Sequence, residues 1–233
     1  MLIPLLGLGF MLGVKHALEA DHVAAVASLV TRSSSLKNTV RVASAWGLGH
    51  SAVLVLLGSI LIALDITLPE KLARAFEFAV GGMLIFLGIG VLRRLRRQRA
   101  HAHVHQHSDG ARHVHFHSHP EQLSKPPAPH VHDHTHGLLP RALIVGSMHG
   151  LAGSAALILI AAPAMHSAPR ALLYLVVFGI GSILGMVLFS VAISLPLQLS
   201  ARHLSRVSGG LEVALGVTNI ALGCWIALHA GVF

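Results

Sequence analysis

The chain has 233 residues, of which 54% are hydrophobic and 11% charged, against about 25% charged in a soluble domain. Eleven of the 26 charged residues fall within 93–141, so the other 184 residues carry 15 charges among long apolar runs. That excludes a water-soluble globule, and excludes disorder outside the one charged segment; the composition implies an all-α, polytopic membrane protein with the lipid bilayer as its surroundings. The net charge of +8 does not argue for a nucleic acid partner, because most basic residues lie between apolar runs, where they report topology. A single cysteine, Cys224, allows no internal disulfide. The apolar run 2–14 has neither the positive flank nor the cleavage site of a signal peptide.

Six stretches are long enough to cross the roughly 30 Å of hydrocarbon as helices: 3–30, 42–64, 75–92, 141–162, 171–194 and 210–231. The first carries Lys15, His16, Glu19, Asp21 and His22 near its centre. Each ionisable group at that depth costs at least ~2.5 kcal/mol, so the cluster must compensate itself. Lys15 and Glu19 are four apart and are expected to pair on one helical face. Asp21 with His16 and His22 combines carboxylate and imidazole, a donor set that suits a first-row divalent transition-metal ion. On a straight helix His22 lies about 120° around from His16, and Asp21 about 140°. Their convergence therefore requires local unwinding, as in the discontinuous helices of many transporters; otherwise other spans complete a site around His16.

The second span carries His50 within Gly47-Leu48-Gly49-His50-Ser51, and the third opens near Glu77, expected as a first-turn acid. The linker 93–140 begins with Arg93, Arg94, Arg96, Arg97 and Arg99 and continues with twelve histidines, mostly alternating, and with Pro126, Pro127 and Pro129. Such a segment buries no core and is expected to be mobile. Its histidines are expected to buffer or deliver metal at many low-specificity sites, without the supporting contacts that fix one geometry. The fourth span carries His149, and the sixth opens near Glu212, again expected as a first-turn acid.

The two halves repeat. Gly13-Val-Lys-His16 aligns with Gly146-Ser-Met-His149, an offset of 133, and Trp46-Gly-Leu-Gly49 aligns with Phe178-Gly-Ile-Gly181, an offset of 132. Glu77, Gly81 and Gly88 align with Glu212, Gly216 and Gly223 at 135. Three spans per half give the halves opposite orientations, so the expectation is a 3+3 inverted repeat with a site at the midplane between them. The organisation expected is a first repeat at 1–92, the linker at 93–140 and a second repeat at 141–233. Thirteen Lys and Arg lie on the side of loops 31–41, 93–141 and 195–208, and three on the other. The His-rich linker is therefore expected in the cytoplasm, with both termini extracytoplasmic.

The run His16-Ala-Leu-Glu-Ala-Asp21-His22, followed by Val23-Ala-Ala-Val, resembles the His-x4-Asp-His signature of the nickel/cobalt transporter family. Gly49-His50-Ser51 resembles that family's second element in the next span. The resemblance implies a permease of the cytoplasmic (inner) membrane, with Ni2+ or Co2+ as transported substrate and no catalytic cofactor. It implies that His16, Asp21, His22 and His50 handle the metal; His149 of the second half is expected near them. Typical members have eight spans and this chain six. His149-Gly-Leu-Ala-Gly-Ser154 is similar to short relatives associated with urease or hydrogenase, which implies cytoplasmic nickel chaperones or their maturation proteins as partners. The His-rich linker is similar to that of the efflux branch. The alternatives to uptake are thus efflux and a non-transporting accessory role. An intramembrane hydrolase built on Ser154 with His149 or His50 as base leaves the Asp21 cluster unexplained, so no enzyme activity is expected.

Overall fold

The first apolar stretch does not run as one straight rod. The computed structural model describes residues 2–30, 35–99, 102–106, 112–116, 137–161, 167–203 and 205–231. In it the stretch breaks at 17–19 into α1 (Leu2–His16) and α2 (Ala20–Val30), bent by 59°. The break sits among the ionisable residues. Leu18 N–H and Glu19 N–H donate to Lys15 O and His16 O, a tightened turn, before Val23 N–H restarts the helix on Glu19 O. The restart gives α2 its own N-terminus with Asp21 in the first turn, where the helix dipole favours a carboxylate.

α3 (Leu36–Leu64) starts at Ser35, whose side chain accepts from Asn38 N–H. It stops at Asp65, in the left-handed region with φ of 51°, whose N–H caps Ile62 O and Leu61 O. α4 (Glu70–Arg99), α5 (Leu138–Ala161), α6 (Ala168–His203) and α7 (Ser205–His229) complete the helices. Among the described residues, α3, α4, α6 and α7 are long and apolar enough to cross a membrane, and the bent α1–α2 pair is a fifth candidate if its two helices form one broken span. α5 is apolar over Leu138–Ala152.

Several helix boundaries differ from the sequence reading. α4 runs past 92 through all five arginines to Arg99, because Arg is a strong helix former despite its charge. α6 passes Pro196 and ends at His203, where a loop was expected; proline holds a helical φ and removes one backbone donor without forbidding the helix. Within the linker, β1 (Ala102–Gln106) and β2 (Arg112–Phe116) pair antiparallel, so the all-α expectation holds for the apolar spans and this hairpin is added outside them. The expectation of mobility over 100–101, 107–111 and 117–136, prolines included, falls outside the described residues. Neither Glu77 nor Glu212 is a first-turn acid, since α4 starts at Glu70 and α7 at Ser205. Instead Glu212 Oε2 accepts from Arg94 Nη2 at 2.7 Å across the α4–α7 contact.

Four helix pairs dominate the packing: α4 with α7, α3 with α5, α3 with α6, and α1 with α6. In a bilayer apolar burial does not drive helices together, so close approach over small residues does. A Cβ on Gly13 would strike Phe178 O, and one on Gly146 would strike Trp46 O. Gly181 lies against Phe10 O and Gly49 against Leu143 O, while Gly81 faces Gly223 and Gly88 faces Gly216. Residue numbers rise together along α1 and α6 and along α3 and α5, so those pairs are parallel; α4 and α7 are antiparallel. Trp46, Leu84, Phe178 and Met186 are fully enclosed between these pairs.

Candidate metal centre

The break between α1 and α2 resolves the angular problem of the first span. His16 is the last residue of α1 and His22 lies in the first turn of α2, and the bend brings their ring centroids to 4.3 Å. His50, in the middle of α3, stands 5.1 Å from His22 and 5.4 Å from His16, centroid to centroid. One ligand nitrogen from each of the three lies within 4.8 Å of the others. The rings are 7%, 1% and 0% exposed for His16, His22 and His50. Trp46 packs at 5.7 Å from His22 and Phe178 at 5.5 Å from His16, giving the cluster aromatic walls.

Carboxylates fix which nitrogen His16, His22 and His149 present. An ionised carboxylate accepts and does not donate, so an imidazole nitrogen bonded to it carries the proton. Asp21 Oδ1 accepts from His22 Nδ1 at 3.0 Å and from the His22 backbone N–H at 2.9 Å. Glu19 Oε2 lies 3.0 Å from His16 Nδ1. In the neutral tautomers this leaves the lone pairs of His16 and His22 on Nε2, and both atoms are buried without a partner, as are both nitrogens of His50. Carboxylate-to-imidazole bonds of this kind orient metal-ligating histidines and raise their basicity. Asp21 Oδ2 accepts in turn from His149 Nε2 at 2.8 Å, which leaves His149 Nδ1 buried without a partner. Asp21, His22 and His149 form a second group able to hold a metal ion, sharing His22 with the first.

All five residues singled out in the sequence, His16, Asp21, His22, His50 and His149, therefore converge. One detail differs. Glu19 turns to His16 and not to Lys15, which is exposed; the i,i+4 rule presumes an unbroken helix, and the chain breaks between them. His149 stands near the others, as expected, with its ring 4.2 Å from His22. The orienting role of Glu19 and the wall formed by Trp46 were missed. Glu19 stands three residues after His16, a spacing that signals the contact; Trp46 carries no such signal. The side chain of Ser154 lies outside the described set.

Imidazole nitrogens outnumbering the nearby carboxylates of Asp21 and Glu19 match late first-row divalent ions and disfavour Mg2+ and Ca2+, which take oxygen ligands. Over residues 2–222 the chain matches the NicO family, described as high-affinity nickel-transport protein. A urease accessory protein, UreH, from Bacillus sp. (strain TB-90) is 33% identical over 233 residues, covering 99% of this chain and 93% of the relative. No solved structure matches the chain. The buried histidine cluster and the length of the family match agree, and the chain belongs to the NicO family of high-affinity nickel-transport proteins, which are transporters and not enzymes.

Proposed function

We propose that the protein carries Ni2+, and Co2+, across the cytoplasmic membrane through the centre formed by His16, Asp21, His22, His50 and His149. The observation that carries this reading is the set of buried, unpartnered nitrogens on His16, His22 and His50. A buried polar atom without a partner is costly, and a divalent ion in transit supplies the missing partner. Three imidazoles hold the ion neutrally, while Asp21 offsets one of its two charges from beside them. Two groups sharing His22 give the ion adjacent stations. Affinity alone favours Cu2+ over Ni2+, so selection rests on geometry and metal availability.

The architecture we propose is six spans in a 3+3 inverted repeat. The packing supports it: the Gly13–Phe178 and Gly146–Trp46 contacts relate positions that align between the halves, as do Gly49–Leu143 and Gly181–Phe10. Parallel α1–α6 and α3–α5 pairs suit halves of opposite orientation. The excess of Lys and Arg beside the His-rich linker supports a cytoplasmic linker with both termini outside.

The direction proposed is inward. A relative named as a urease accessory protein favours delivery of metal to cytoplasmic nickel chaperones or urease and hydrogenase maturation proteins. The test is Ni2+ entry into proteoliposomes, with cellular nickel measured on expression. Saturable entry with raised cellular nickel supports uptake. Flux with lowered cellular nickel indicates efflux, and absence of flux indicates a non-transporting accessory protein.

A further inference from the structure

One turn of α6 is held between α1 and α3. A Cβ on Gly13 of α1 would meet Phe178 O and Ser182 N, and Ser51 Oγ of α3 donates to Gly179 O at 3.1 Å. This turn stands level with the metal centre: the Phe178 ring lies 5.5 Å from that of His16, and Ser51 follows His50 in the chain. At about 100° per residue, the side of α6 that meets α1, through Phe178, Gly181 and Gly185, lies roughly 130° around from the side that meets α3, through Gly179, Ile183 and Met186. Ser182 falls midway between the two sides, so its side chain points into the seam that holds His16 and His50. It is 0% exposed, and its Oγ is buried without a hydrogen-bond partner. A serine within a helix can bond a carbonyl of the preceding turn. Ser59 and Ser190 bond the carbonyl four residues back, and Ser194 the one three back; Ser182 does not. The sequence points the same way. Trp46-Gly-Leu-Gly-His50 aligns with Phe178-Gly-Ile-Gly-Ser182 at an offset of 132, and His16 aligns with His149 at 133. Three of these four aligned positions, 16, 50 and 149, carry histidines of the centre, and Ser182 is the fourth.

We propose that Ser182 is a further metal-binding residue, its hydroxyl oxygen facing the divalent ion held by His16, His22 and His50. The assignment rests on the transport centre proposed above, and adds to it an oxygen donor from the second half of the chain. A buried hydroxyl without a partner is costly, and its oxygen keeps two free lone pairs. A cation arriving between α1, α3 and α6 gives those lone pairs a partner. Where the alignment with His50 would place another imidazole, serine supplies a smaller and harder donor. The resulting set mixes nitrogen and oxygen, which Ni2+ accepts, and leaves more room around the ion than another ring would. The ion is then gripped from both halves of the chain, by His50 on α3 and by Ser182 on α6.

The test uses Co2+ as a spectroscopic probe of the full-length protein in detergent, with Cys224→Ala as the parent, since Cys224 is the one cysteine of the chain. Ser182→Cys in that parent exchanges the hydroxyl for a thiol of similar size. Co2+ should then produce a near-ultraviolet sulfur-to-cobalt charge-transfer absorption and protect the introduced thiol from alkylation. Ser190→Cys, on the same helix but with its native hydroxyl bonded to Met186 O, should show neither effect. Ser182→Ala should bind Ni2+ about tenfold more weakly or worse in calorimetry, the usual effect of losing one bond from a neutral group to a charged partner. Its metal-free form should keep or raise its unfolding temperature, because an unpartnered hydroxyl has been removed; a hydroxyl that only packs would leave the affinity unchanged. Should Ser182→Cys fail to fold, Ser182→Ala decides alone. Co2+ bound to Ser182→Cys without the charge-transfer band, or normal Ni2+ affinity in Ser182→Ala, overturns the assignment and leaves the histidine centre standing. A parent that binds no Co2+ overturns the centre and the assignment together.

Discussion

Asp21 Oδ2 accepts a hydrogen bond from His149 Nε2 at 2.8 Å, joining residues 128 positions apart on α2 and α5. Because Asp21 Oδ1 also holds His22 Nδ1, one carboxylate sets the tautomer of two rings in different halves of the chain. Asp21→Asn puts an amide donor against one of those N–H groups and misorients that ring. Orienting partners of metal-bound histidines typically contribute about 10–100-fold in affinity. Asp21→Asn should therefore weaken Ni2+ binding by about that factor in calorimetry, while Asp21→Ala, which also removes the charge, should abolish transport. His149→Ala should reduce affinity less than His22→Ala, since His22 belongs to both groups. Wild-type affinity in Asp21→Asn would remove the orienting role.

Metal binding should depend on pH with one sign. A ligating imidazole must be neutral, so protons compete with the ion. Ni2+ affinity should therefore fall as the pH is lowered to where the ligating histidines take up protons. Titrations at descending pH measure this directly. Affinity that rises as the pH drops would argue against imidazole ligation.

The helix contacts should be intolerant of added bulk where backbones touch. A side chain at Gly146 meets Trp46 O, whereas Gly82 has nothing within 4 Å. Gly146→Val should lower thermal stability in detergent by the equivalent of about 1–3 kcal/mol, the usual cost of overpacking. Because α5 carries His149 and α3 carries His50, Ni2+ affinity should fall with it. Gly82→Ala should change neither measurement.

Most of the centre was legible in the sequence, because ionisable residues are expensive in a bilayer and their presence at mid-span marks function. His16, Asp21, His22 and His50 stand in two short motifs, and the angular mismatch of His16 and His22 on a straight helix pointed to the break. The partner of Glu19 was misread, since the four-residue spacing from Lys15 presumes an unbroken helix, while the three-residue spacing from His16 carried the contact. Nor was the Asp21–His149 bond, a long-range contact that no local pattern encodes. The arginine run read as a loop because charge was taken as the end of the span, although α4 needs only helix propensity to continue past the apolar stretch. The hairpin went unread for a related reason: alternating histidine was taken as biased composition, yet alternation is also the period of a strand.

Arg94 and Glu212 should act as a pair holding α4 to α7. Their side chains are 27% and 21% exposed, and removing one partner of a largely buried ion pair leaves a charge uncompensated. Glu212→Gln should lower the unfolding temperature in detergent, with a cost of up to about 3 kcal/mol. The double exchange R94E/E212R should recover part of the loss. No recovery, with an unchanged single variant, would mean that the contact contributes nothing to the α4–α7 pairing.

The most direct measurement is Ni2+ entry into proteoliposomes containing His22→Ala beside the unaltered protein, each shown to be inserted to the same extent. His22 belongs to both candidate stations, so the expected result is loss of the saturable component in His22→Ala, with Ni2+ entry at the level of protein-free vesicles. Entry at the normal rate and half-saturation in His22→Ala would contradict a transport centre at this cluster, and would leave its ionisable residues as a polar patch holding a broken helix open.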